Sequence, residues 1–310
     1  SHINAMTQSN AVPASSISTH TWQPITLGEH GLLEPGRLRW LRAVAWAIPL
    51  FFLVAVTAGA ITRFLGSFWP ITNEPMQFVA GLVGALASLG IYALAVRLAE
   101  KRTASEIALR PMLPQLGLGL LIGAAMFSAV MGIMAMFGFY DIQALGPASA
   151  WSPLRKAIQA GVVEELMMRA VLLRLMWRAF GPCAAFAVSW AVFGFSHLGN
   201  TNATVFAAIC IALEAGLMLG AFYALTGRIW VSVGAHMAWN FTQGYVFGAA
   251  VSGTALGPAI ARSTPNAGLP QWLTGGAFGP EASLPGVLVC LAVGLTVVWV
   301  AWRRGKFARQ

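Results

Sequence analysis

The sequence predicts an all-α, polytopic membrane protein with about eight transmembrane helices. Of its 310 residues, 57% are hydrophobic and only 9% are charged, and the mean hydropathy is +0.70. A soluble domain carries about 25% charged residues, so this chain has too few to cover a water-facing surface. Several apolar stretches also approach about 20 residues, the length that a helix needs to cross the ~30 Å hydrocarbon core of a bilayer. A soluble enzyme and a disordered or fibrous chain are thereby excluded.

The N-terminal segment differs in composition from the rest of the chain. Residues 1–36 are polar, rich in Ser, Thr, Pro and Asn, and free of apolar stretches. They lack the charged start and apolar centre of a signal peptide. We expect them to form a flexible tail, in which residues 1–5, ahead of Met6, resemble the remnant of a tag.

Eight apolar segments follow, and none shows the period-two alternation of a half-buried strand. A bilayer admits only helices and closed barrels, so we interpret all eight as helices. Their approximate limits are 40–61, 76–98, 117–140, 153–178, 182–198, 203–225, 230–250 and 284–302. Thr103 to Pro114 is typical of a short interfacial amphipathic helix, capped by Thr103 or Ser105. The Gly- and Pro-rich segment 251–283 is expected to be a lid or a mobile excursion.

The net charge of +9 suggests nucleic acid as a partner, but the charges lie at the ends of apolar segments and form no surface patch. With eight crossings, one set of loops holds fourteen Lys and Arg residues, and the opposite set holds only Arg63, Arg155, Lys156 and Arg262. Cytoplasmic loops are enriched in Lys and Arg, so both termini are predicted to be cytoplasmic. We expect a protein of the bacterial inner (cell) membrane, with the lipid bilayer and not nucleic acid as its partner.

Few ionisable side chains lie inside the predicted helices, and each is a functional candidate because a charge in a bilayer is costly. The acidic ones are Glu164, Glu165 and Glu214, and the histidines are His197 and His236. Arg169 follows Glu165 by four residues, which places both on one helical face. Glu164 points about 100° away, so it can face a cavity while Arg169 neutralises Glu165.

Two further helices carry polar groups at helical spacing. Phe193 and His197 lie four residues apart, and so do His236 and Asn240. For hydrolysis of a peptide bond, Glu164 can act as general base on a water held between it and His197. His236 and Asn240 can then donate hydrogen bonds to the oxyanion. Glu164, His197 and His236 can equally form a catalytic zinc triad, and the residues leave both mechanisms open.

These motifs carry a family resemblance. Glu-Glu-x-x-x-Arg at 164–169, Phe-x-x-x-His at 193–197 and His-x-x-x-Asn at 236–240 resemble those of the CPBP family, the CAAX proteases and bacteriocin-processing enzymes. The family includes the type II CaaX prenyl endopeptidases. The resemblance implies an intramembrane endopeptidase, glutamate-dependent or metal-assisted, with a single membrane domain at 37–310 and a catalytic core at about 105–245.

The resemblance also implies a role for each motif residue: Glu164 as base, Glu165 and Arg169 as its support, His197 as water partner, and His236 with Asn240 as oxyanion donors. Zinc is the one cofactor that the residues suggest. The expected substrate is a membrane-associated peptide or protein, and whether it is lipid-modified stays open. Phe193 and Glu214 are candidates for a substrate or access path.

Structural and non-proteolytic interpretations stay open beside this one. Glu165 and Arg169 can be only a buried ion pair that fixes helix packing, and Glu214 can pair with Arg228. Ser196 suggests a rhomboid-type serine protease with His236 as its base. A transporter or a non-catalytic membrane scaffold is the alternative outside the enzymes.

One length estimate conflicts with a shared site. At 1.5 Å per residue, His197 lies about 22 Å from the cytoplasmic start of its helix, and His236 lies only about 9 Å from the start of its own. The two histidines can meet only if one of these helices begins away from the membrane surface.

Overall fold

The computed structural model describes residues 22–308, which form a bundle of helices with a small two-stranded sheet. The long helical segments are α1 (Arg39–Gly66), α2 (Glu74–Ala99), α3 (Met112–Met136), α4 (151–180), α5 (Pro182–Ser196), α6 (Val205–Thr226), α7 (230–246) and α8 (Leu284–Arg303). Wider π-helical turns interrupt three of them, at Ala160–Glu164 and Leu166–Leu173 in α4, Ala212–Gly216 in α6 and Thr242–Val246 in α7. Such turns are rare and concentrate at functional sites.

The all-α membrane fold is confirmed. Among residues 22–308, six helices are long and apolar enough to cross a bilayer: α1, α2, α3, α6, α8 and α5 with its last turn, Pro182–Gly199. α4 and α7 are not among the six; α4 carries several charged residues, and α7 is short. The figure of eight crossings therefore stays a prediction.

The predicted interfacial helix at 103–114 is wrong. Before Met112 only the turn Ser105–Ile107 is helical there, and α3 begins at Met112, earlier than expected. Pro111 disfavours helical geometry at the residue before it, which separates the turn from α3. The side chain of Glu106 is instead drawn into buried ion pairs.

A sheet that the sequence did not predict connects the segment after α3 with the segment 251–283. Strand β1 (Tyr140–Ala144) pairs antiparallel with β2 (Ala261–Pro265), so α3 ends four residues before its expected limit. The segment 251–283 folds back over one end of the bundle, where Tyr140 donates a hydrogen bond to the Thr274 carbonyl at 2.9 Å. The two strands are too short for a visible alternation and lie far apart in the chain.

The expected tail at 1–36 is only partly covered, because residues 1–21, with the expected tag remnant, lie outside the described residues. From residue 22 onward the chain packs on the bundle instead of extending from it. Ile25 and Leu33 are buried, and the backbone amide of Gln23 donates to the Thr226 carbonyl at 3.2 Å. A few apolar side chains are enough to hold this polar segment.

Close backbone contacts fix α7 between α3 and α4. A Cβ added at Gly123 of α3 would lie 2.2 Å from the Ala235 carbonyl oxygen, and one added at Gly161 of α4 would lie 2.3 Å from the side chain of Met237. Small residues allow helices in membranes to approach this closely. The contact at Gly161 brings the two glutamates that follow it next to α7.

Arg102 and Arg174, two of the fourteen arginines and lysines assigned above to loops, instead form an ionic cluster with Glu100 and Glu106, the anchor cluster. Arg174 is fully buried, and 10% of the Arg102 side chain is exposed. Arg174 lies 2.7 Å from Glu100, and Arg102 lies 2.8 Å from both Glu100 and Glu106. Tyr92 donates hydrogen bonds to Glu106 and, at 3.1 Å, to the Ala170 carbonyl. The cluster joins α2, α4 and the turn before α3.

Candidate active site

Glu165 connects three side chains across two helices. Its carboxylate lies 3.1 Å from Arg169 on α4 and 2.8 Å from Nδ1 of His236 on α7. Glu165 and Arg169 are both fully buried, and Arg169 also donates to the Ala215 carbonyl at 2.7 Å. The predicted contact between Glu165 and Arg169 is therefore present, and it also holds the imidazole.

Glu164 lies on the other side of the same imidazole. Its carboxylate is 3.8 Å from Nε2 of His236, and 41% of its side chain is exposed. Glu164, Glu165, Arg169 and His236 are referred to below as the site cluster. Among the described residues, no hydrogen bond or ion pair joins Glu164 to His197, although the sequence interpretation placed a water between those two. The two adjacent carboxylates flank His236 instead.

A cavity beside His236 is lined by most of the remaining candidate residues. Phe193, His197, Glu214, His236 and Asn240 all line it. The volume open to the centres of water molecules is about 40 Å³. A polar cavity needs about 10–15 Å³ on this measure to hold one water, so this one has room for a few.

Phe193 lies between the two histidines. Its ring centre is 4.9 Å from the ring of His197 and 6.2 Å from that of His236, and the guanidinium of Arg169 lies 5.0 Å from its centre. Nδ1 of His197 donates to the Phe193 carbonyl at 2.7 Å, since a carbonyl can only accept. This bond leaves Nε2 as the free nitrogen of His197.

The start of α7 is buried inside the protein. The turn before α7 is buried, and the amide of Ile229 donates to the Glu106 carbonyl at 3.1 Å. Gln23 and Pro24 lie against Gly227, where an added Cβ would be 2.4 Å from the Gln23 carbonyl oxygen. Despite the conflict in the length estimate, His236 and His197 line the same cavity.

Two alternative sites are not assembled. Among residues 22–308, no three His, Cys, Asp or Glu side chains lie close enough together to hold a metal ion, so Glu164, His197 and His236 do not form the suggested zinc triad. Ser196 donates to the Phe193 carbonyl at 2.7 Å and does not line the cavity, so the suggested pair of Ser196 and His236 is not formed.

Sequence reasoning missed two residues of the cavity wall, Ser252 and Glu281. Glu281 is 3% exposed and accepts a hydrogen bond from the backbone amide of Ser252. The pKa of Glu281 is raised because burial disfavours its charged form. The hydrogen bonds of Ser252 and the charge of His197 act in the opposite direction but do not outweigh burial. A signal was available, because Glu281 is the only acidic residue in the segment 251–283.

The sequence left open whether Glu214 has a structural or a functional role. It is 2% exposed and lines the cavity, whereas Arg228 donates to the side chain of Gln23 at 3.0 Å. The suggested pairing of Glu214 with Arg228 is not what the structure shows. Glu214 thus belongs with the cavity, together with Glu281.

Comparison with known proteins agrees with the motifs. Residues 146–242 match the family described as type II CAAX prenyl endopeptidase Rce1-like, a stretch that covers α4 to α7 and all three motifs. No curated protein and no solved structure matches the chain. The family match supports a protease, and with the apolar helices it supports an integral membrane protein. Residues 146–242 are thus similar to the type II CAAX prenyl endopeptidases, in agreement with the resemblance that the three motifs carry.

Proposed function

We propose that this protein is an intramembrane endopeptidase in which Glu164 activates a water for attack on a peptide bond. One observation carries the proposal. His236 is held by the buried Glu165 at one nitrogen, lies near the partly exposed Glu164 at the other, and lines a cavity with His197 and Asn240. Two imidazoles and an amide thus line one small cavity, and the base Glu164 lies beside the His236 that borders it.

The charges of the site cluster favour a protonated His236. Glu164 and Glu165 carry two negative charges, and Arg169 balances only one of them. A protonated imidazole balances the other and donates from both nitrogens, with Nδ1 directed at Glu165. Its Nε2–H is then available to a substrate carbonyl.

A water that lies beside Glu164 and His236 can contact both groups. At 3.8 Å the two groups are beyond direct hydrogen-bond distance, and a separation of this size is commonly bridged by water. The exposed part of Glu164 gives that water access. His197 can hold a water from the far side of the cavity through its free Nε2.

The reaction then proceeds in two steps. Glu164 takes a proton from the water as its oxygen bonds to the carbonyl carbon, and the oxyanion accepts hydrogen bonds from His236 and Asn240. The carbon–nitrogen bond then breaks, and the proton held by Glu164 passes to the leaving amine. Water is consumed, and a carboxylic acid and an amine are formed.

The substrate is a peptide or protein held at the membrane, and a lipid modification is not required by this geometry. We place both termini in the cytoplasm of a bacterial cell, because with eight crossings the loops richest in Lys and Arg fall on the same side as the termini. The orientation can be tested by adding a reporter domain after residue 310 and measuring its accessibility in intact cells.

The purified protein in liposomes should cleave peptides that join an apolar segment to a randomised polar segment, with products identified by mass spectrometry. Glu164→Ala should lower the rate by about 100-fold or more, since general-base catalysis contributes about 10²–10⁴. Glu34→Gln is the matched control, because its side chain is exposed and remote from the cavity. Full activity of Glu164→Ala would falsify the assignment.

A zinc-dependent form of the same hydrolysis is tested on the same preparation. Activity should persist after treatment with a chelator, and the zinc content should be far below one atom per protein. Loss of activity with the chelator and its return with added zinc would replace the proposed mechanism with the metal-assisted one. Wild-type protein that cleaves no peptide, with or without zinc, would favour the transporter or scaffold.

A further inference from the structure

The cavity contains a second pair of carboxyl groups that hydrolysis does not use. Glu214, in the π-helical turn of α6, and Glu281, in the segment 251–283, both line it and are at least 97% buried. His197 and His236 line the same cavity, so the pair shares this space with both histidines.

Glu214 has an oxygen without a partner. Among the described residues, its Oε1 is buried and makes no hydrogen bond. Gly286 of α8 packs behind it, at a position where an added Cβ would be 2.7 Å from that oxygen. An unpaired buried acceptor costs about 1–3 kcal/mol, so a donor that reached this carboxyl group would remove that cost.

Glu281, by contrast, is held in place. The backbone amide of Ser252 donates a hydrogen bond to its carboxylate. Ser252 has a backbone φ of +46°, which residues other than glycine rarely adopt. Such strain concentrates at functional sites. The carboxylate is thus oriented before any ligand arrives.

No permanent positive charge balances this pair within the cavity. Among the described residues that line the cavity, none is Lys or Arg. The nearby Arg169 is engaged by Glu165 and the Ala215 carbonyl. In the anchor cluster, each buried carboxylate has an arginine within 3 Å.

We propose that Glu214 and Glu281 form a subsite for the ammonium group of a lysine beside the scissile bond of the substrate. This specificity rests on the proposed function. An ammonium group donates three hydrogen bonds, and bonds from a charged donor to a carboxylate are among the strongest in proteins. The small volume of the cavity, about 40 Å³, suits the compact ammonium better than the planar guanidinium of arginine.

The specificity test compares peptides of one sequence that differ only beside the cleaved bond, where they carry lysine, arginine or the uncharged norleucine. The wild type should show the highest kcat/KM for lysine. Both Glu214→Gln and Glu281→Gln should lower the ratio of kcat/KM for the lysine peptide to kcat/KM for the norleucine peptide by about tenfold, as expected for one hydrogen bond to a charged group. Glu34→Gln should leave the ratio unchanged. Equal ratios in the wild type and both variants would overturn the subsite.

Binding of the lysine and norleucine peptides to Glu164→Ala protein, measured by titration calorimetry, separates this inference from the proposed function. Tighter binding of the lysine peptide, lost when Glu214→Gln is added, supports the subsite even if no peptide is ever cleaved. Equal affinity for the two peptides contradicts it even if cleavage is observed.

Discussion

α4 carries two buried arginines five residues apart, and their surroundings differ. Arg174 belongs to the anchor cluster, in which two glutamates meet two arginines at 2.7–2.8 Å and Tyr92 adds a further hydrogen bond. Arg169 belongs to the site cluster, in which the same number of glutamates meets one arginine and one histidine.

The two clusters also differ in how completely their polar atoms are bonded. In the site cluster, Oε2 of Glu165 and two guanidinium nitrogens of Arg169 make no hydrogen bond, although Oε2 and Nε form an ion pair at 3.1 Å. Glu164 is partly open to solvent. A balanced, fully bonded cluster resists proton transfer, whereas an incomplete one with a histidine can exchange a proton. The anchor cluster therefore stabilises the fold, and the site cluster can perform chemistry.

The largest effect on stability is expected for Arg174→Met. It leaves Glu100 and Glu106 buried with Arg102 as their only cation, and removing one partner of a buried pair costs about 3–5 kcal/mol. Thermal unfolding in detergent should show a large decrease in unfolding temperature. The activity of the molecules that remain folded should be retained. A variant that is stable but inactive would contradict the division between the clusters.

A smaller loss of stability, about 1–3 kcal/mol, is expected for Arg169→Met, because a protonated His236 can still balance Glu165 at 2.8 Å. This variant should also lose activity, since the proton on His236 becomes committed to Glu165. Unfolding temperature and kcat/KM, measured for Arg174→Met and Arg169→Met, test whether the anchor cluster and the site cluster have different roles. Identical behaviour of the two would mean that the clusters share one role.

The smallest expected effect is on the stability of the protein at acidic pH. Burial by itself would raise the pKa values of Glu100 and Glu106, but Arg174 and Arg102 outweigh it and hold both below their ordinary value of 4.5. Their contribution to stability is therefore present above pH 4.5 and is lost as the pH falls through the lowered pKa values. In Arg174→Met the loss should begin at a higher pH. Unfolding temperature measured against pH would show this shift, and its absence would mean that Arg174 does not set the two pKa values.

Much of the site could be predicted because helical spacing is a local property. Glu165 and Arg169 share a face as expected, and Phe193 lies against His197 on one helix. The partner of Glu164 could not be predicted, because the contact with His236 depends on how closely α4 and α7 approach at Gly161. Glu281 was overlooked because its segment showed neither periodicity nor a motif.

The sequence by itself determined the membrane class, the helices and the three motifs, since hydropathy and side-chain spacing along a helix act over a few residues. Tertiary structure alone decided how deep α7 begins, that the strands at 140–144 and 261–265 pair, and which buried charges meet. These features depend on contacts between segments distant in the chain. A buried charge takes its role from the number and kind of partners around it, and packing sets both.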